Sequence, residues 1–241
     1  MGMFADDLVD QYWKLGVSTP AGPVTISCNR YLMNGDSAQA QQAKIQDVRS
    51  QAPAKKPGIF VDGAAFTRTY YGKGLPSDLQ HVLQVGVDSG VLPSDKDALQ
   101  GWADSSLGVD CTGFVSAYHF QCAMMPLGQG VNAGCAYFYS IARRLHPQSF
   151  IVWTLDEVQP DDVMVWMNEN GVETKSPGHI AMIVGKMGNS LKIAESSGAD
   201  DGQGHRGPHL NQKMWDGTTQ KKGGQCLNIG EGVIIIRTIN Y

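Results

Sequence analysis

The chain has 241 residues, 42% of them hydrophobic and 17% charged, which is enough apolar content for one sizeable domain or two small ones with a real core. A net charge of −4, with basic runs no longer than the pairs Lys55-Lys56, Arg143-Arg144 and Lys221-Lys222, excludes the electrostatic footprint of a nucleic-acid or anionic-membrane binder. The 29 glycines and the low charged fraction favour an α+β or β-rich fold with many turns.

In chain order, Phe4, Leu8 and Tyr12 mark one side of a helix over residues 4–14. Two acids by position 7 and no continuous apolar run leave no secretory signal to read there. No later stretch is long enough to span a bilayer, so a chain made in the cytoplasm is expected. Residues 16–23 read as turn and loop. Residues 37–56 are rich in Gln, Ala and Ser and end in QAPAKKPG, which reads as a surface excursion without a continuous helix or strand. Between 76 and 100, Ser77-Asp78-Leu79-Gln80 has the spacing of a capping box and Ser94-Asp95-Lys96-Asp97 that of an N-cap, so two short helices are expected. In the second half, apolar runs at 163–166, 180–184, 191–194 and 233–239 read as strands. The turn Lys186-Met187-Gly188-Asn189 joins two of them as a hairpin and makes the sheet locally antiparallel.

The five cysteines, Cys28, Cys111, Cys122, Cys135 and Cys226, are odd in number and include no CxxC, so free buried thiols are expected, one of them a working thiol. Cys111 has the most suggestive surroundings. The loop Gly108-Val109-Asp110 runs directly into Cys111, and Val115, Tyr118 and Cys122 recur at helical spacing, which puts Cys111 in the first turn of a helix. Unpaired N–H groups and the helix dipole at such a position stabilise a thiolate and can hold the oxyanion of a tetrahedral intermediate.

A thiol nucleophile needs a base, and of six histidines His179 opens a clear strand, which fixes the imidazole direction better than a loop does. His119 lies two helical turns beyond Cys111, about 12 Å away along the same helix, and is the weaker candidate. Glu195 closes the next strand, so a hairpin of the two strands brings it near His179 as the orienting third member, with Ser196 and Ser197 as alternatives. His205 and His209 have a metal-like spacing, but Gly207 and Pro208 between them oppose a helix, and neither metal nor cofactor is expected. Residues 198–208 read as a rim or lid on the substrate side.

Three pieces, in this order, carry a family resemblance. Asp110-Cys111-Thr112-Gly113-Phe114-Val115 resembles the cysteine motif of NlpC-like peptidases, Pro160-Asp161-Asp162-Val163-Met164-Val165-Trp166 their Pro-Gly-Asp strand, and Gly178-His179-Ile180-Ala181-Met182-Ile183-Val184-Gly185 their histidine strand. Ile193-Ala194-Glu195-Ser196 is similar to the glutamate strand of the CHAP amidases. The match spans roughly residues 100–198. Asp161 stands where the family has glycine. The Pro-Tyr-x-x-Gly-Gly segment usual before the cysteine is replaced by Gly101-Trp102-Ala103-Asp104-Ser105-Ser106, leaving Tyr70 or Tyr71 to supply its tyrosine.

The resemblance implies a papain-like α+β domain over 1–241, its nucleophile helix packed on a small antiparallel sheet. Residues 1–100 would form an N-terminal helical and loop extension and 101–241 the catalytic core. It implies Cys111 as nucleophile, His179 as base, Glu195 as orienting residue, and Asp110, Trp166 and Ser196 as substrate-binding residues. The implied activity is hydrolysis of peptidoglycan stem-peptide amides by an exported antibacterial effector or a phage lysin, with an immunity or secretion protein as partner. An acyl or amide transferase on the same Cys-His frame, and a non-catalytic binding protein that retains the fold, are the alternatives.

Overall fold

The computed structural model describes residues 4–32, 38–121, 134–174, 176, 178–199, 206–215, 219–221, 224–226 and 232–238. Among them are seven α-helices, a six-stranded sheet and two two-stranded sheets, an α+β architecture. Two compact units are present, one of Leu8–Ala117 with Ser196–His209, the other of Met1–Asp7, Tyr118–Glu195 and Leu210–Tyr241.

Helix α1 (Ala5–Trp13) buries Leu8 and Tyr12 as its period requires, while Phe4 before it is exposed. The next residues, expected as loop, form a hairpin of β1 (Leu15–Thr19) and β2 (Gly22–Ile26). Only Leu15, Val17 and Ile26 are buried, and Pro23 lies opposite Ser18, so the apolar alternation is too short to read against the Gly and Pro content. Pro23 has no N–H to offer Ser18. The amide of Gln84 takes that place, accepting from the Ser18 N–H at 2.8 Å and donating to its carbonyl at 3.1 Å.

Residues 39–55, expected not to hold a helix, form the 17-residue α2 (Gln39–Lys55). Its buried side chains, Gln42, Ile45, Val48 and Ala52, lie on one stripe, and Pro53 falls in the last turn, where a missing backbone bond costs little because the helix is ending. The helix packs on α3 (Gly63–Tyr70), α4 (Pro76–Asp88) and α5 (Lys96–Ser106). Both short helices expected at 76–100 are present, with shifted starts. Pro76 is the first residue of α4, and Asp78 reaches back to the Leu75 N–H at 2.9 Å while accepting a two-pronged bond from Arg68 at 2.6 and 2.7 Å. Asp95, not Ser94, caps α5. Helix α6 (Cys111–Gln121) begins at Cys111.

In the other unit, helix α7 (Cys135–Leu145) precedes β3 (Ile151–Val152), β4 (Val163–Val165), β5 (Ile180–Met187) and β6 (Ser190–Ser197). Strands β7 (Gly207–Met214), β8 (Thr219–Lys221), β9 (Gly224–Cys226) and β10 (Ile234–Ile236) follow. The large sheet runs β3-β10-β4-β5-β6-β7, and the first five strands pair antiparallel. Met164, Trp166, Ala181, Ile183, Leu191, Ile193 and Ile235 belong to one core cluster, yet Val163, Val165, Ile180, Met182 and Ala194 are also buried. Burial of both faces is why these strands read as continuous apolar runs rather than as alternation. The last strand ends at Ile236, and beyond it the Arg237 side chain bonds Asp162, at 3.2 Å, and the Glu157 carbonyl, at 2.7 Å. Residue 239, expected in this strand, lies outside the described residues.

At the turn before β4, Asp161 holds φ at 73°, the left-handed region that favours glycine. This is the position where the resembled family has glycine. The aspartate is held there by the Tyr118 hydroxyl, which donates to its carboxylate, and by its own N–H on the Ile183 carbonyl at 2.8 Å.

Candidate functional site

The local sequence explains why α6 starts where it does. Asp110 is the N-cap, with its Oδ1 accepting the Gly113 N–H at 2.5 Å and its carbonyl accepting the first helical bond from Phe114 at 3.0 Å. Cys111 is therefore the first helical residue, 5% exposed, at the positive end of the helix. Asp110 is itself buried. Its carboxylate takes Lys73 Nζ at 2.6 Å and the Thr112 hydroxyl at 3.1 Å, and Lys73 also donates to Thr112. Burial pushes the Asp110 carboxyl up, opposed chiefly by the Lys73 charge. Bonded by Lys73, Thr112 and Gly113, the Asp110 carboxylate serves the helix start.

Tyr70 and Tyr71 meet edge to face, centroids 4.9 Å apart, and the tyrosine whose hydroxyl reaches Cys111 is a different one. It is Tyr31. Its hydroxyl lies 3.8 Å from Cys111 Sγ and also meets the Cys111 backbone N–H. Burial, then the charges of Cys111 and Asp110, push the Tyr31 hydroxyl well above its ordinary value, so it remains a proton donor. Tyr31 lies 80 residues before the cysteine, which is why no local pattern pointed to it. The Leu32 N–H on the Val109 carbonyl at 3.5 Å, and the Val109 N–H on the Arg30 carbonyl at 3.1 Å, stitch its segment to the cysteine loop.

Ser196, in the same unit, is fully buried and donates to the Val109 carbonyl at 2.5 Å. It holds the cysteine loop from behind. As an alternative third member it is committed to that backbone bond, and Ser197 bonds within its own turn to Ala199.

In the sheet unit, the β5–β6 hairpin brings His179 and Glu195 together, with Nε2 and Oε2 2.5 Å apart. A carboxylate only accepts, so Nε2 carries the proton and Nδ1 is the basic nitrogen. The other oxygen, Oε1, accepts from Asn211 Nδ2 on β7 at 2.8 Å. Asn211 fixes the carboxylate from the second side, and the sequence reading missed it because it lies on a separate strand, 16 residues beyond Glu195. The His179 ring stands edge-on to Trp166, centroids 4.7 Å apart, and its carbonyl accepts the Trp166 N–H at 3.0 Å and the Cys135 thiol at 3.4 Å. Trp166, 4% exposed, thus works as a wall for the imidazole.

His119 is a core residue. It is 1% exposed, lies 3.4 Å from the Thr238 hydroxyl and between Tyr118 and Phe138, and burial holds it down at about 4. Above its unfolded value the ring is neutral in both states. As pH falls the unfolded ring takes a proton that the folded one refuses, so this contribution to stability declines with acid. Relative to His119→Gln, the parent is expected to lose about 2 kcal/mol between about pH 7.5 and about pH 5, read from urea unfolding of both proteins. The buried Asp110, Asp161 and Asp162 are shifted upward and act in the opposite sense in both proteins, so the difference isolates the histidine.

Of the candidate metal pair, His205 lies outside the described residues, and His209 is buried on β7 with Nδ1 2.8 Å from the Gly207 carbonyl. No group of three metal-ligating side chains occurs among the described residues. No helix among them is long and apolar enough to cross a membrane. Among the described residues, Cys28, Cys111 and Cys135 are buried thiols outside any disulfide. No family model, curated protein or solved structure matches this chain.

Proposed function

We propose that the protein is a papain-like cysteine hydrolase that cleaves amide bonds in peptidoglycan stem peptides, with Cys111 as nucleophile, His179 as general base and Glu195 as its orienting carboxylate. The observation that carries the reading is the His179–Glu195 pair at 2.5 Å, itself braced by Asn211. A buried carboxylate held by two donors, one of them an imidazole, fixes tautomer and direction, as a base serving a thiol requires. Cys111 at a capped helix start, with a Tyr31 hydroxyl that stays protonated, supplies the complementary chemistry of a nucleophile and an oxyanion donor.

In this mechanism His179 Nδ1 takes the thiol proton and Sγ attacks the amide carbonyl. The Tyr31 hydroxyl and the Cys111 N–H steady the oxyanion. The proton passes to the leaving amine, a thioester remains, and water resolves it to the acid. The peptidoglycan assignment rests on the resemblance of the three ordered motifs. Digestion of defined muropeptides followed by mass spectrometry tests it, with one new amine and one new carboxylate per cleavage as the expected result. Products joined to an added amine instead would make the enzyme a transferase, and intact muropeptides would remove the substrate assignment.

A further inference from the structure

The loop Gly72-Lys73 is fitted to the cysteine motif at four points. The Gly72 carbonyl accepts the Asp110 N–H at 2.9 Å, Lys73 Nζ binds both Asp110 oxygens at 2.6 and 2.8 Å, and the same ammonium donates to Thr112. The fourth point is steric: a Cβ on Gly113 would lie 2.2 Å from the Gly72 carbonyl and 3.0 Å from Lys73 Cα. Lys73 is 5% exposed. Burying two charges costs several kcal/mol per ion, and an apolar pair of similar volume would often be as stable, so stability alone is a weak reason for the arrangement.

We infer that Lys73 is a positioning residue for Cys111, acting through Asp110: its ammonium fixes the carboxylate that caps α6 and thereby sets the thiol at the first helical position. This rests on the reading of Cys111 as the nucleophile. Asp110 turned away from Gly113 frees the N-terminal turn to fray, and the residue carried by that turn is Cys111. The effect is orientational, so it falls on turnover rather than on substrate affinity.

The experiment measures kcat and KM on muropeptides, together with the rate at which iodoacetamide labels Cys111, resolved by mass spectrometry from the other four cysteines. Lys73→Met is expected to lower kcat and the Cys111 labelling rate by about tenfold each, with KM within about twofold of the parent, and Lys73→Arg to recover part of both. In an Asp110→Asn background, Lys73→Met should add little, because the two residues act as one unit. A folded Lys73→Met protein with both rates near those of the parent overturns the proposal, as does a loss that recurs undiminished in the Asp110→Asn background. Should Lys73→Met fail to fold, Thr112→Val, which removes one acceptor without stranding a charge, and Lys73→Arg decide: a drop in the Cys111 labelling rate supports the proposal, and unchanged rates in both overturn it. If Cys111→Ala leaves muropeptide digestion intact, the hydrolase reading falls, while the labelling comparison still decides the role of Lys73.

Discussion

Cys111→Ala and His179→Gln are each expected to lower muropeptide hydrolysis by about 10⁴-fold or more, and the double variant to be scarcely worse than either. The non-additivity follows from the chemistry, because a thiol without its base and a base without its thiol fail at the same step. Glutamine is the better replacement at position 179. His179→Ala would strip the 4%-exposed Glu195 side chain of its 2.5 Å partner and destabilise the sheet unit for reasons unrelated to catalysis, whereas a glutamine amide can still donate to it. Initial rates on purified peptidoglycan, with circular dichroism to confirm folding, provide the measurement. Losses that multiply in the double variant would mean that the two residues serve separate steps, and unchanged lysis in either single variant would sink the mechanism.

Gly113→Ala is expected to destabilise the protein by about 3 kcal/mol, at the upper end of the usual cost of overpacking. Helix propensity argues the other way, since alanine exceeds glycine by about 1 kcal/mol within a helix. The steric term wins because the added methyl meets a backbone carbonyl at 2.2 Å, not the end of a flexible side chain. Gly72 has little room to yield. Its φ is +68°, and on its far side the Leu32 carbonyl stands 2.4 Å from where a Cβ would be. A lower urea midpoint at unchanged slope is the expected reading, and a stabilised Gly113→Ala protein would show that the loop and the helix start are not in contact.

The parts of this fold that were legible in the sequence are those whose cause is local. The start of α6, the β5–β6 hairpin and the proximity of His179 to Glu195 each follow from a short pattern, the last because an antiparallel pair sets the beginning of one strand beside the end of the next. Helix α2 was hidden because Gln42 fills a buried position usually apolar and Pro53 looks like a breaker until it is known to lie in the final turn. The β1–β2 hairpin was hidden because part of its backbone bonding comes from Gln84. Tyr31, Lys73 and Asn211 carry no local signature at all. Each is defined by a partner on a distant segment, and pattern reading has no access to such pairs.

The surroundings of Cys111 are closed by bonds spanning 37 residues to Lys73, 80 to Tyr31 and, through Val109, 87 to Ser196. Such long closures are entropically late events, since each loop must be shut before its contacts can repay the cost. During synthesis Tyr31 and Lys73 emerge before the cysteine, whereas the Ser196 bond that backs its loop can close only after residue 196 has left the ribosome. A nascent fragment ending before that residue therefore lacks the support behind Val109.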